Sequence, residues 1–324
     1  MGGVATSAAN LPRQPPNGRS PHVVAVVGPT ATGKSALGVA VARALGGEVV
    51  NADSMQLYRG MDVGTAKLTE AERGGVTHHL LDVWPVTRAA SVADYQQDAR
   101  TCVDDLLVRG VVPVVVGGSG LYVRALFDRL EFPGTDDALR ADLESELATV
   151  GAAELHHRLA AADPAAAAAI QPGNGRRIVR ALEVIHLTGR PFTAALPAYD
   201  AVYDVVQLGL DLPAQELDGR VDVRVEHMFA AGLVDEVRGL ERAGLRDGRT
   251  ASRALGYQQV LAMLDGALTE AAARTQTAQA TRRFVRRQRS WFGRDPRIHW
   301  LQPGPELLAD ALAVLEAATP GCET

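Results

Sequence analysis

Short apolar runs bounded by glycine or proline alternate with stretches of helical period in the first part of the chain. His22 to Val27 is continuous, β-branched and framed by Pro21 and Gly28, which predicts a buried strand. Gly33 to Leu45 follows as a helix that stops near Gly46 and Gly47. Glu48 to Ala52 is a second strand. Ser91 to Arg109 repeats apolar residues at helical spacing through Val92, Tyr95, Ala99, Cys102, Val103 and Leu106. Val111 to Val116 is a third strand, halted by Gly117 and Gly118. Strands that alternate with helices predict an α/β fold with a parallel sheet flanked by helices.

The pattern changes after about Pro133. From Asp136 to Leu196 no strand pattern appears. Helices are expected over Asp136 to Val150, from an opening at Asp163-Pro164, and over Arg176 to Leu187. Val202 to Leu210 predicts a strand that returns to the sheet. Helices are then expected at about Pro213 to Ala231, Val234 to Ala243, Gln258 to Asp265 and Glu270 to Phe292. The chain thus divides into a tail over 1–21, a core over 22–135 and 200–302, an all-helical insert over 136–199, and a C-terminal helix or tail over 303–324.

Composition and charge add exclusions. Residues 1–21 are rich in Gly, Pro, Ser and Asn and lack the apolar centre of a signal peptide, so a disordered tail on a cytoplasmic protein is expected. No apolar run reaches the roughly 18 residues a membrane span needs. Cys102 and Cys322 are too isolated for a zinc site or a disulfide framework. The net charge of −5 means that any nucleic acid must be met by a local basic patch.

The strongest chemical signal is Gly28-Pro29-Thr30-Ala31-Thr32-Gly33-Lys34-Ser35, which satisfies the P-loop pattern between a strand and a helix. Backbone N–H groups of such a loop close around phosphate oxygens, and the helix N-terminus adds partial positive charge. Lys34 supplies a full charge to the terminal phosphate, and the Ser35 hydroxyl suits Mg²⁺. The loop specifies phosphate, not ATP, and no guanine-reading Asn-Lys-x-Asp sequence is present.

Other candidates sit at strand ends, where open parallel sheets bind ligands. Asp53 lies just past the second strand. An acid beside a polyanion needs a task, such as proton abstraction, although a helix N-cap accounts for it equally well. Ser119, in Gly117-Gly118-Ser119-Gly120, offers a hydroxyl from what is otherwise a plain strand-to-helix turn. His78 and His79 are adjacent and do not form a metal pair on one helix face, and Asp82 is a candidate outer ligand of Mg²⁺. Six arginines fall between Arg282 and Arg294 with no acid before Asp295. Arg282, Arg286 and Arg289 form one helical stripe, Arg283 and Arg287 another, with Phe284 and Trp291 on the apolar side. Arg176, Arg177 and Arg180 form a second cluster, and Arg253 with Tyr257 and Gln258 a third. A helix face without mixed signs points to RNA.

Seven stretches together resemble one family, the tRNA dimethylallyltransferases (tRNA isopentenyltransferases). They are GPTATGKS from Gly28, NADSMQLYRGMDVGTAK from Asn51, HHLLDV from His78, GGSGLYVRAL from Gly117, RRIVRALEV from Arg176, SRALGYQQ from Ser252 and RRFVRRQRSWFGRDP from Arg282. The resemblance implies transfer of a dimethylallyl group from its diphosphate to N6 of the adenosine 3′ to the anticodon, in tRNAs that read codons beginning with U. It implies that Gly28 to Ser35 hold the donor's diphosphate, with Mg²⁺ on Ser35. Asp53 matches the family's base. Lys34, Ser119 (where Thr is usual) and Arg224 match further catalytic positions. The tRNA positions it implies are Asp53, Ser54, Met55, Gln56, Ser119, Arg140, Arg176, Arg177, Arg180, Arg253, Tyr257, Gln258, Arg286, Arg287, Gln288 and Trp291. It implies that the insert and the C-terminal arginine helix clamp the anticodon stem-loop. No protein partner is implied, and a monomer of the bacterial form is expected.

The chain departs from the family pattern at Ile170-Gln171-Pro172-Gly173-Asn174, where I-H-P-N-D is usual, and at Gly293, where arginine is usual. Three rivals share part of the motif set. A prenyltransferase of free adenine nucleotides needs neither the insert nor the arginine helix. A small-molecule kinase uses ATP. A non-catalytic RNA-binding switch has no use for an intact Lys34, Ser35 and Asp53.

Overall fold

The computed structural model describes residues 23–192 and 199–318, so the expected tail over 1–21 lies outside the described residues. The chain forms two compact units: one comprises the described residues up to Asp128 and from Ala201 onward, and the other is Arg129–Asp200. The division falls at Arg129, a few residues before the expected Asp136, and the C-terminal helix belongs to the first unit.

The first unit opens with β1 (Val23–Val27), α1 (Lys34–Leu45), β2 (Glu48–Asn51), α2 (Glu70–Arg73), β3 (His78–His79), α3 (Val92–Val108), β4 (Pro113–Gly117) and α4 (Gly120–Phe127). The second unit holds α5 (Asp137–Ala162), α6 (Pro164–Ala169) and α7 (Gly175–Thr188). The chain returns with β5 (Val205–Leu210), α8 (Ala214–Ala230), α9 (Leu233–Arg242), α10 (Tyr257–Leu264), α11 (Glu270–Phe292), β6 (Ile298–Leu301) and α12 (Leu307–Ala317).

The six strands form one sheet in the order β3-β2-β4-β1-β5-β6, with every pairing parallel. β1 lies near the centre and all five of its residues are buried, which is why its sequence reads as an unbroken apolar run. Its odd residues Val23, Ala25 and Val27 join a core with α3, α4 and α8 to α11. Val24 and Val26 join the opposite core with α1 and α12. Two strands have no sequence signal. β3 is two residues long, and β6 is an edge strand whose His299 and Trp300 are exposed.

In the second unit, Leu143, Leu155, Leu159, Ile170, Ile178 and Val179 form a separate core. α5 passes the expected end at Val150 and reaches Ala162, with a break at Gly151 (φ 83°). Asp136, Asp163 and Asn174 cap the three helices through their side chains. Asn174 thus supplies an N-cap within the segment where the sequence departs from the family pattern.

Asp128 anchors the point where the chain leaves the first unit, in an antiparallel bridge with Ala201. Its fully buried carboxylate accepts from Arg124 Nε at 2.5 Å and from Arg297 Nη1 at 2.6 Å. Asp128→Ala leaves both guanidinium groups without this partner in low dielectric. It is expected to cost about 3–5 kcal/mol in urea unfolding, and an unchanged midpoint would contradict this account.

Candidate active site

The crevice of the sheet is set by its topology. From β1 the chain turns one way, to β2, and beyond β4 it crosses to the other side, to β5. The carboxyl ends of β1 and β4 therefore flank the switch point where open parallel sheets bind ligands. The loop Gly28 to Gly33 leaves β1 there. Gly28 has φ 134°, and an added Cβ would lie 2.2 Å from the carbonyl oxygen of Leu210, so no other residue fits. Thr32 Oγ1 donates to the Pro29 carbonyl at 2.9 Å, and Lys34 Nζ donates to the same oxygen. Lys34 and Ser35, at the first turn of α1, line a cavity of about 1070 Å³ with Asp53, Gln56 and Arg224.

Four basic side chains (Lys34, Lys67, Arg220 and Arg224) and four acids (Asp53, Asp62, Glu72 and Glu216) line the cavity. Lys67 pairs with Asp62, Arg220 pairs with Glu216 and Glu72 closes the capping box of α2, so beside the loop Lys34 and Arg224 face Asp53. Burial, and then the neighbouring Arg224, lower the Lys34 ammonium to a pKa of about 7, against a smaller opposing pull from Asp53. Burial likewise lowers Arg224, and Asp53 again opposes the shift. Among the described residues no group of three or more His, Cys, Asp or Glu could hold a metal ion. The donor set suits a cation that takes one protein hydroxyl and fills its other positions with phosphate oxygens and water.

Asp53 is held by its neighbours. Its Oδ1 accepts from the Met55 N–H at 2.9 Å, so it caps a tight turn while its charge acts on Lys34 and Arg224. Asn51, the last residue of β2, is buried and clamps the Asp53 backbone at both ends. Its Oδ1 accepts from Asp53 N–H at 2.9 Å, and its Nδ2 donates to the carbonyls of Asp53 and Leu80, each at 3.0 Å. Leu80 has φ 60°, a conformation that costs a non-glycine residue energy and that this bond helps hold. The Ser119 hydroxyl accepts from Ser54 N–H at 3.2 Å and lies 3.3 Å from the Ser54 hydroxyl, which ties the loop after β4 to the loop after β2.

The far wall is the segment from Asp62 to Lys67. Glu236 of α9 accepts from the N–H groups of Asp62, Val63 and Gly64 at 3.0, 2.7 and 3.2 Å, and from the Tyr257 hydroxyl at 2.6 Å. The Thr65 carbonyl accepts from Gln56 Nε2 and Arg224 Nη2, both at 3.2 Å. Lys67 Nζ binds Asp62 and Asp82, each at 2.6 Å, so Asp82 faces a lysine in the position where an outer metal ligand was expected.

Several residues named in the sequence analysis have other engagements. Tyr257 is fully buried, with its hydroxyl on Glu236, and does not present a surface to RNA. Gln288 is also buried, with its amide spent on main-chain groups of two loops. The arginine stripe of α11 meets acids from elsewhere in the chain. Arg282 pairs with Asp222, Arg286 with Asp218 at 3.2 Å and Arg289 with Asp211 at 2.9 Å. The ladder continues at Arg274 with Glu226. The stripe is therefore met by acids of α8 and by Asp211 just before it, although Arg286 keeps much of its surface.

Arg283 and Arg287 face outward, as do Arg253 and Gln258. In the second unit Arg176 and Arg177 are exposed, whereas Arg140 and Arg180 hold the buried carboxylate of Glu183 at 2.6 and 2.8 Å. Trp291 is half-buried beside Gly120, and Met55 packs on the core. Sequence reasoning missed Asn51 and Glu236. Only their position, one at a strand end and one far along the chain, gives them a role.

A parallel sheet with a phosphate-type loop at its switch point, and with Lys34, Arg224 and Asp53 beside that loop, defines a P-loop-like transferase. The model of the family described as IPP transferase matches residues 56–295. A tRNA dimethylallyltransferase of Salinispora arenicola is 68% identical over 91% of this chain and 87% of its own length. One from Streptomyces coelicolor is 65% identical over 92% of this chain and 96% of its own. The crystal structure of a tRNA isopentenylpyrophosphate transferase from Bacillus halodurans superposes with a TM-score of 0.68 at 38% identity, covering 92% of this chain and 97% of that one. The chain belongs to the IPP transferase family.

Asn51→Asp keeps the size of the side chain but removes both donors, leaving the carbonyls of Asp53 and Leu80 facing a carboxylate. It is expected to lower stability by about 2–4 kcal/mol in urea unfolding. An unchanged midpoint would show that Asn51 does not hold the Asp53 turn.

Proposed function

We propose that this enzyme transfers a dimethylallyl group from dimethylallyl diphosphate to N6 of the adenosine 3′ to the anticodon of tRNA. The observation that carries the reading is the meeting of Lys34, Arg224 and Asp53 in one cavity at the sheet's switch point. Lys34 and Arg224 suit a diphosphate, and the carboxylate of Asp53 beside them suits a group that must lose a proton. The names of the relatives accord with this chemistry.

Each residue has a defined task. The loop N–H groups and Lys34 bind the diphosphate and stabilise the charge that grows on it as it leaves. Arg224, fixed by its bond to the Thr65 carbonyl, meets the same anion from α8. Ser35 would hold Mg²⁺, which when bound adds further neutralisation of the phosphate oxygens. An exocyclic amine is a weak nucleophile because its lone pair is delocalised into the ring. Asp53 orients N6 and takes its proton as the bond from N6 to C1 of the dimethylallyl group forms. The C1–O bond breaks and its electron pair leaves with diphosphate. The target base must leave its stack to reach a cavity of this kind.

RNA would be met by outward-facing arginines, Arg283 and Arg287 on α11 and Arg176 and Arg177 on α7, together with Arg253 and Gln258. Arg286 keeps enough surface to contribute while it is paired with Asp218.

The test is a transfer assay with labelled dimethylallyl diphosphate, Mg²⁺ and total tRNA, beside reactions that contain AMP or ATP. Label is expected in tRNA and in neither nucleotide. Asp53→Ala should lower the rate by about 10²- to 10⁴-fold and leave tRNA binding within about threefold. Label in AMP, or consumption of ATP without transfer, would overturn the tRNA reading. Activity of Asp53→Ala within about tenfold of wild type would remove Asp53 from the role of base.

A further inference from the structure

Gln288 lies on α11, within a motif whose neighbours Arg283 and Arg287 face solvent, yet only 5% of it is exposed. Its amide spans the switch point of the sheet. Oε1 accepts from the N–H of Thr30, in the loop after β1, at 3.0 Å. Nε2 donates to the carbonyl of Gly118, in the loop after β4, at 2.8 Å. The orientation of the amide is dictated by its partners, since a main-chain N–H can only donate and a carbonyl can only accept. Gly118 is shaped to this contact: an added Cβ would lie 2.5 Å from Gln288 Nε2 and 3.2 Å from the Gly28 carbonyl.

Two consequences follow for the donor site. The Thr30 N–H is spent inside the protein, so a phosphate oxygen must be met by N–H groups further along the loop and by Lys34. The separation of the two loops is set by the length of one amide group. The helix that carries this amide is itself locked to α8 by the Arg282–Asp222, Arg286–Asp218 and Arg274–Glu226 pairs, and α8 carries Arg224. One helix thus fixes the loop on one side of the cavity and the helix bearing the arginine on the other.

We propose that Gln288 is a positioning residue of the diphosphate site, setting the phosphate loop against the loop after β4, and that it does not meet RNA. The proposal rests on the reading of the cavity as the donor's diphosphate site.

The test measures binding of inorganic diphosphate with Mg²⁺, and separately of tRNA, to the full chain carrying Gln288→Met or Gln288→Glu. Met keeps the volume and loses both hydrogen bonds. Glu keeps the acceptor for Thr30, sets a second acceptor against the Gly118 carbonyl and adds a negative charge beside the anion. Diphosphate affinity is expected to fall about tenfold in Gln288→Met and further in Gln288→Glu, with tRNA affinity within about twofold of wild type. In the transfer assay KM for the donor should rise while KM for tRNA stands, a split that a general loss of structure does not produce. If Gln288→Met does not fold, Gln288→Glu carries the comparison, with thermal unfolding as the check on its integrity. Unchanged diphosphate binding in a folded variant, or loss of tRNA binding with diphosphate binding intact, overturns the proposal. A wild-type chain that binds no diphosphate overturns the donor-site reading itself.

Discussion

Lys34 and Arg224 face the carboxylate of Asp53 beside the phosphate loop, and much of the molecule serves to keep them there. Burial and the neighbouring Arg224 lower the Lys34 ammonium to a pKa of about 7, so an anion placed beside the two groups is favoured. Charges of one sign, held close in a partly desolvated place, are costly unless a partner of opposite sign is brought in. The surrounding bonds withstand that repulsion. Gly28 lets the loop lie against Leu210, and Glu236 holds the wall from Asp62 to Gly64. Asn51 fixes Asp53 by its backbone and leaves its charge directed at Lys34 and Arg224.

The same electrostatic logic joins α8 to α11. Asp218, Asp222 and Glu226 recur every fourth residue on one face of α8 and meet arginines of α11 in antiparallel order. The neighbouring face of α8 presents Arg220, Val223 and Arg224 to the cavity. Exposed ion pairs contribute little each, so the ladder is better understood as setting the register of the two helices than as a large store of stability.

The core of the fold was legible because its main strands are buried on both faces and carry unbroken apolar runs. β3 and β6 escaped because two residues, or four at an exposed edge, carry no period. The phosphate loop and Asp53 were legible from motif and strand-end position. The acids that meet the arginine stripe were not legible for a physical reason: Asp222 lies sixty residues before Arg282, and the sign balance of one helix does not report what packs against it. Tyr257 and Gln288 look like ligand contacts in a motif, yet their polar atoms are spent on Glu236 and on two main-chain groups. Nothing local distinguishes an amide that meets a ligand from one that ties two loops together.

Burial and Arg224 make the charge on Lys34 costly until an anion binds beside it. Calorimetric titration of dimethylallyl diphosphate into the enzyme at pH 8, in two buffers of different ionisation enthalpy, tests it most directly. At that pH a lysine with a pKa of about 7 is mostly neutral, and a bound diphosphate favours the ammonium. Binding should therefore take up close to one proton, with affinity falling as pH rises above 7, and the uptake should vanish in Lys34→Arg, which stays charged. Heats that do not depend on the buffer in the wild-type enzyme, with equal affinity at pH 6.5 and 8.5, would contradict the account.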